Sequence, residues 1–349
     1  MKAAPTVKEK TIEYRDMPDP VPAGPGDVLL EVSYTGICGS DLHVYRGEFA
    51  GRVSFPTIQG HEFAGRVVET GPEVTELKKG DRVCVDPIIP CGRCPVCLSG
   101  SYNACRSLKL LGIDLNGGLA QYVLASDCQC FKVPDHIPDR HAAMVELYSI
   151  GMHSTTISRI DPGDTVVVLG AGRVGLAVLE NLLMTSAAKV AITDIDPAKL
   201  RIAEKLGAAA TFNCIEVDAV EAVKEWTGGL GPDCIVECIG EADLNVVGGL
   251  APIAQAVQMV RSAGRITLLG QGPHNYEVHW KTLVWKEATI HTSRVSRGEF
   301  PRVVAAMAAG RYHPDLLISG EYPLERTGEA FAMLDREPPE VVKIMIKIQ

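Results

Sequence analysis

No lysine- or arginine-rich stripe runs along this chain; its 34 basic side chains are outnumbered by 43 acidic ones, for a net charge of −9. Binding a phosphate backbone needs a positive stripe, so nucleic acid is excluded as a partner and a small-molecule substrate is expected. No apolar stretch is long enough and free enough of charge to span a bilayer; the run 165–169 has the length of a buried strand instead. Residues 1–10 contain no apolar core followed by a small-residue cleavage site, so the expected compartment is the cytosol. Internal repeats and low-complexity tracts are lacking as well. With 46% hydrophobic and 22% charged residues the chain also lacks the polar bias of a disordered protein. Its 349 residues exceed what one core usually fills, so two domains are expected.

The texture of the sequence changes once. Residues 26–150 read as short β-branched segments, for example 27–32, 65–69 and 81–85, broken by glycine and proline, which makes a β-rich unit. From 161 onward apolar runs alternate with helical stretches, the pattern of a parallel sheet with crossover helices. Strands are expected at 165–169, 189–194, 210–212, 234–237, 265–269 and 288–292, enough for a complete doubly wound α/β sheet. Asp196 is expected to cap a helix that starts on Pro197 and stops at Gly207. A further helix is expected at 298–309, and the apolar run 341–348 is expected to rejoin the first domain. The expected division is 1–150 with 293–349 returning to it, and 151–292.

Eleven cysteines in a reducing compartment are not expected to pair covalently. Cys91, Cys94, Cys97 and Cys105 follow C-x2-C-x2-C-x7-C, a segment short enough to wrap one tetrahedral zinc. An iron–sulfur cluster or unligated thiols are the alternatives, but the last spacer is longer than in the usual cluster run and Arg106 stands where that run carries proline. Four thiolates close the coordination shell, so such an ion is structural. Cys128 and Cys130 lie on a strand-like segment and are expected to share one face, as core filling or on the surface. Cys84, Cys214, Cys234 and Cys238 are expected to be buried and inert.

Taken singly, Gly60-His61-Glu62 reads as a satisfied structural pair and Cys38, in Gly36-Ile37-Cys38-Gly39-Ser40-Asp41, as a core thiol. Gly170-Ala171-Gly172-Arg173-Val174-Gly175 follows a strand and opens a helix over 176–184. In that context a G-x-G-x-x-G run supplies a tight turn, a close approach for a pyrophosphate and a helix N-terminus aimed at it. Asp194 ends the next strand, 19 residues beyond Gly175, where a carboxylate accepts hydrogen bonds from a ribose and repels a 2′-phosphate. NAD is therefore expected over NADP.

The chain resembles the zinc-containing medium-chain alcohol dehydrogenases, in particular the sorbitol and threonine dehydrogenase branch. The resemblance rests on G-H-E-x2-G-x5-G-x2-V at 60–74, the cysteine lobe, Gly80-Asp81-Arg82-Val83, Gly117-Gly118-Leu119-Ala120-Gln121-Tyr122 and the dinucleotide fingerprint. It implies a GroES-like catalytic domain beside a Rossmann domain. It also implies a second, catalytic zinc held by Cys38 and His61, with Glu62 and Glu146 ligating directly or through water and one position open for the substrate hydroxyl. Glu146 has an interdomain salt bridge as its alternative role.

Ser40 and His43 match the family's proton relay; otherwise Ser40 caps a helix and His43 lies on its surface. Lys199 matches a basic residue near the ribose, and Leu269 and Ser293 match positions near nicotinamide. Where the family has Glu-Pro-Leu this chain has Glu146-Leu147-Tyr148, and the bulky Tyr148 is expected to touch substrate. Arg294 and Arg297 are expected to hold a substrate carboxylate, or else to be solvated surface or subunit-interface residues. The implied reaction is oxidation of a secondary alcohol on a small polyhydroxy substrate to a ketone with NAD. A sugar acid, threonine or a sugar phosphate are the competing substrates, and the implied assembly is a homotetramer or homodimer. A non-catalytic NAD-binding protein or a zinc-free quinone reductase would not need Cys38, His61 and Glu146 together.

Overall fold

A computed structural model describes residues 1–240, 249–272, 275–336 and 338–349. The chain forms two compact units, Met1–Glu146 with Arg297–Gln349, and Leu147–Ser296.

The first unit is built on a seven-stranded sheet. Its first strand, β1 (Asp27–Gly36), buries Val28, Leu30 and Val32 completely while the residues between them stay partly exposed. That period of two is what a sheet with one face on the core requires. A short helix, α1 (Gly39–Tyr45), follows, and then β2 (Glu62–Thr70), β3 (Arg82–Val85), β4 (Tyr122–Ser126) and β5 (Cys130–Lys132). The sheet order is β5-β3-β2-β1, continued by the C-terminal strands Lys343–Lys347 and Ile318–Pro323, with β4 also paired to β1. The apolar C-terminal run thus pairs with the first sheet, Met345 opposite Gly36. Its core gathers Val28, Leu30, Phe63, Val67, Phe331 and Ile346.

Three local expectations need correction. β2 starts at Glu62, not at Gly65, so Glu62 is a strand residue. Cys128 and Cys130 do not share a face: a 3-10 turn (Asp127–Gln129) leaves Cys128 exposed while Cys130 enters β5 buried. Cys214 and Cys238 are only partly buried by area, although burial still pushes both thiols up and leaves them poor nucleophiles.

Just beyond β3, Asp86 is 8% exposed and accepts the Ile88 N–H at 3.2 Å. Burial drives its carboxyl up to about 7, that N–H opposes the rise, and the Glu299 charge adds to it. The unfolded chain ionises near pH 4 while the folded one keeps the proton to about 7, so the favourable contribution is complete at low pH and lost as pH rises through that window. Asp86→Asn is expected to flatten the fall of stability between pH 4 and 8 and to gain up to about 4 kcal/mol at the upper end. Urea denaturation at several pH values measures this; parallel curves for the two proteins would refute it.

The second unit opens with the rest of α2 (Val145–Ser158), which starts in the first unit. Its sheet holds β6 (Thr165–Leu169), β7 (Lys189–Asp194), β8 (Ala210–Asn213), β9 (Cys234–Glu237), β10 (Arg265–Leu268) and β11 (Thr289–Thr292), all parallel, in the order β8-β7-β6-β9-β10-β11. Val166, Val167 and Val168 are completely buried, because helices cover both faces of a parallel sheet and leave no polar alternation. The strand order reverses between β6 and β9, the crevice in which doubly wound folds bind ligands. One helix, α3 (Arg173–Leu183), follows β6 at this crevice, and another, α4 (Pro197–Leu206), follows β7. The second is capped by Asp196, which accepts the Ala198 N–H at 2.8 Å, and ends at Gly207 with φ +106°. Among the described residues no helix is long and apolar enough to cross a membrane.

Candidate metal centre and dinucleotide site

The register of two neighbouring strands assembles the first site. Gly36 stands opposite Glu62, so Cys38, two residues past the end of β1, and His61, one residue before β2, leave the sheet at the same end. One ligand atom from each of Cys38, His61 and Glu62 lies within 4.8 Å of the others. Cys38 is the N-cap of α1, and the Asp41 side chain accepts the Cys38 N–H at 2.8 Å to close a capping box. The other Asp41 oxygen stands 3.4 Å from His61 Nδ1. That nitrogen has no hydrogen-bond partner among the described residues, but the nearby carboxylate charge favours a proton on Nδ1 and leaves Nε2 to face a metal. Ser40 Oγ lies 3.4 Å from that Nε2.

Burial alone would lower the His61 pKa, but Asp41 and Cys38 outweigh it and hold the imidazole well above its usual value. Asp41 itself is completely buried, which would raise its pKa, yet His61, the Cys38 N–H and Lys343 hold it below the usual carboxylate range. Glu62 and Lys343 form an ion pair with both side chains fully buried, and Lys343 Nζ also donates to the Ile37 carbonyl at 3.0 Å. A Cβ on Gly36 would sit 2.4 Å from Glu62 Oε2 and 2.8 Å from Lys343 Cε, so only glycine leaves room for this pair. Glu62 Oε1 is buried with no hydrogen-bond partner among the described residues. A thiol, an imidazole and an orphaned carboxylate oxygen within one ion's reach fit a zinc site with three protein ligands and one open position.

Glu146 is outside the 4.8 Å set but close to it electrostatically. Burial raises its carboxyl well above the usual range; Glu62 and Cys38 add to that, while His61 and Lys343 oppose it. His43 lies on α1 with its side chain 44% exposed and its Nδ1 hydrogen-bonded to Glu48. Sequence reasoning missed Asp41 and Lys343. The spacing of Asp41 three residues after Cys38 is a capping-box signal, and Lys343 is the buried one of two lysines that bracket an apolar strand.

The four lobe cysteines also place their sulfurs within 4.8 Å of one another. Cys94 Sγ is 3.4 Å from Cys97 Sγ, and Cys91 Sγ is 3.9 Å from Cys97 Sγ. Tetrahedral zinc with bonds of about 2.3 Å separates its sulfurs by about 3.8 Å, which these distances bracket. Backbone N–H groups of Arg93 and Cys94 pull the Cys91 thiol down to about 6, while burial and the neighbouring thiols push Cys97 up to about 12.

In the second unit Gly170 adopts φ +94° directly after β6, and Gly172 is the N-cap of α3. A Cβ on Gly175 would come within 1.8 Å of the Gly170 carbonyl, so the helix can pack on the loop only there. Arg173 and Val174, the first two residues of α3, are half-buried at the loop. Asp194 ends β7 and accepts the Ala171 N–H at 2.6 Å and the Asp196 N–H at 2.9 Å, which fixes its carboxylate beside the glycine loop. A carboxylate has about four lone-pair sites, so capacity for ribose hydroxyls remains. Lys199 pairs with Asp196 at 3.6 Å. Ser293 donates its N–H to the Leu268 carbonyl, which places it beside Leu269 at the ends of β10 and β11. Its hydroxyl is buried without a partner among the described residues.

The expectation that Tyr148 touches substrate is not met: its side chain is fully buried and its hydroxyl donates to Glu180 at 2.8 Å. Arg294 is exposed, and Arg297, also exposed, reaches Ser101 in the cysteine lobe at 3.4 Å.

A family model for the alcohol dehydrogenase GroES-like domain matches residues 24–135, and one for zinc-binding dehydrogenases matches residues 173–309. The chain is 31% identical to sorbitol dehydrogenase of Bacillus subtilis (strain 168), covering 99% of this chain and 97% of that one. A zinc-binding dehydrogenase of Sinorhizobium meliloti 1021, solved bound to NADP, superposes with TM-score 0.91 at 31% identity over 99% of each chain. An alcohol dehydrogenase of Escherichia coli CFT073 complexed with NADH gives TM-score 0.90 at 27% identity, over 100% of this chain and 99% of that one.

Proposed function

The chain belongs to the zinc-dependent medium-chain alcohol dehydrogenase family, and on that premise we propose that it oxidises a secondary alcohol of a small polyhydroxy compound to the ketone with NAD. The observation that carries this reading is the set of half-buried Cys38 with buried His61 and Glu62, which supplies three donors and leaves a fourth position for a hydroxyl. A structural role alone would not leave Glu62 Oε1 buried and without a partner among the described residues.

When bound, zinc supplies the Lewis acidity that lowers the pKa of the alcohol, and the dinucleotide supplies the hydride acceptor. Cys38, His61 and Glu62 would hold the metal, Asp41, 3.4 Å from His61 Nδ1, would orient the imidazole, and Lys343 offsets the charge of Glu62. Glu146, buried and within electrostatic reach of this set, would ligate the metal directly or through water. Ser40 Oγ, near His61 Nε2, takes the proton of the substrate hydroxyl. His43, its Nδ1 occupied by Glu48, carries that proton to solvent on Nε2. On the dinucleotide side Gly170, Gly172 and Gly175 receive the pyrophosphate at the head of α3, and Asp194 receives the adenosine ribose. Relatives bind either NADP or NADH, and the Asp194 carboxylate favours NAD here.

A neutral polyol is taken as the donor over an aldonate, a choice supported by the 31% identity to sorbitol dehydrogenase over 99% of the chain. A panel of sugar alcohols, aldonates and threonine, scored by NADH formation, tests this. The expected result is turnover of at least one sugar alcohol with aldonates and threonine slower; turnover of an aldonate alone would overturn the polyol assignment. Ser40→Ala is expected to slow alcohol oxidation by about 10²-fold, and His43→Ala to shift the pH–rate profile with a smaller loss. Unchanged pH–rate profiles for both variants would remove the relay.

A further inference from the structure

Glu237 ends β9 at the reversal point of the sheet and is only 3% exposed, yet neither the metal centre nor the dinucleotide fingerprint uses it. Its Oε1 accepts the backbone N–H of Ile239 at 2.6 Å and of Gly240 at 2.8 Å. Its main-chain carbonyl accepts the N–H of Leu269 at 2.9 Å and of Gly270 at 3.0 Å. One residue therefore gathers four amide donors from the loops that follow β9 and β10. Those loops touch backbone to backbone: a Cβ on Gly240 would lie 2.2 Å from the Gln271 N, and one on Gly270 would lie 2.1 Å from the Gly240 N. The same turn abuts the phosphate loop, since a Cβ on Gly170 would lie 2.7 Å from Ile239 Cγ1.

In a doubly wound sheet each half binds one mononucleotide, on either side of the reversal point. Asp194, on β7, serves the adenosine half. The segments 238–240 and 269–271, which follow β9 and β10, therefore floor the other half, whose position relative to Gly170 depends on how tightly the turn 237–240 is held. Leu269, one of the two amides tied to the Glu237 carbonyl, belongs to that floor.

We propose that Glu237 is a positioning residue for the nicotinamide half of the dinucleotide, its carboxylate fixing the shape of the turn 237–240, which packs against both Gly170 and the Gly270–Gln271 segment. This rests on the reading of the second unit as an NAD site. Burial raises its carboxyl pKa, and the amides of Gly240, Ile239 and Gly270 oppose that rise, so the acceptor oxygens are what the turn uses. A glutamine keeps one such oxygen at the same reach; alanine keeps none, and aspartate falls short by one carbon.

The test compares binding of NADH and of 5′-AMP, which fills only the adenosine half, to the purified zinc-loaded enzyme and its Glu237→Ala, Glu237→Asp and Glu237→Gln variants. Glu237→Ala is expected to weaken NADH at least tenfold while changing AMP less than twofold. Glu237→Asp should fall between, and Glu237→Gln should restore NADH to within threefold of the parent. A loss of general fold would weaken both ligands together. Equal shifts for NADH and AMP in Glu237→Asp, or parent-like NADH binding in both Glu237→Ala and Glu237→Asp, would overturn the proposal. If Glu237→Ala does not fold, Glu237→Asp against Glu237→Gln decides. A parent enzyme that binds AMP but not NADH would count against the NAD reading itself.

Discussion

Cys38→Ala is expected to cut NAD-coupled alcohol oxidation by at least about 10³-fold while NADH binding stays near the parent value. Lewis-acid stabilisation of a developing negative oxygen amounts to several kcal/mol, and a site reduced to one imidazole and one carboxylate no longer holds zinc firmly. The dinucleotide residues Gly170, Gly172 and Asp194 lie in the other unit, so their affinity for NADH is expected to survive. Fold stability is expected to change little, because the Cys38 N–H contact to Asp41 does not involve the side chain. Steady-state kinetics beside fluorescence titration with NADH measures both quantities. Activity within tenfold of the parent would refute the assignment of Cys38 as a metal ligand.

Lys343→Met is expected to destabilise the first unit by about 3–5 kcal/mol, the usual cost of stranding one partner of a buried ion pair. Both Glu62 and Lys343 are fully buried, and with the ammonium gone both Glu62 oxygens lack a protein partner among the described residues. The double variant Glu62→Gln/Lys343→Met should recover more than half of that loss, since it removes the stranded charge as well. Denaturant unfolding of the zinc-free proteins measures this without the ion as a substitute partner. A single variant as stable as the parent would show that Glu62 holds its charge by other means.

The parallel strands of the second unit were legible within about a residue because a strand covered on both faces reads as an unbroken apolar run, as in Val166, Val167 and Val168. The glycine fingerprint and the four-cysteine spacing were legible because their chemistry is local in sequence. Asp41 and Lys343 were not, because their roles come from register. Lys343 reaches Glu62 only because the C-terminal strand lies against β1 with Met345 opposite Gly36, and Gly36 in turn faces Glu62. Side-chain size misled at Tyr148, since bulk says nothing about where a hydroxyl finds its acceptor, and Glu180 lies 32 positions away. The strand-like reading of Cys128 failed for a local reason: a 3-10 turn capped by Ser126 and Gln129 breaks the alternation before β5.

Zinc per chain in the parent protein and in Cys38→Ala and Cys97→Ser, determined by elemental analysis of purified protein, bears most directly on the central claim that two separate sets of side chains each hold an ion. The expected counts are two, one and one, with Cys97→Ser losing the ion of the lobe and Cys38→Ala the ion beside His61 and Glu62. A parent with a single zinc that Cys38→Ala retains would contradict the account.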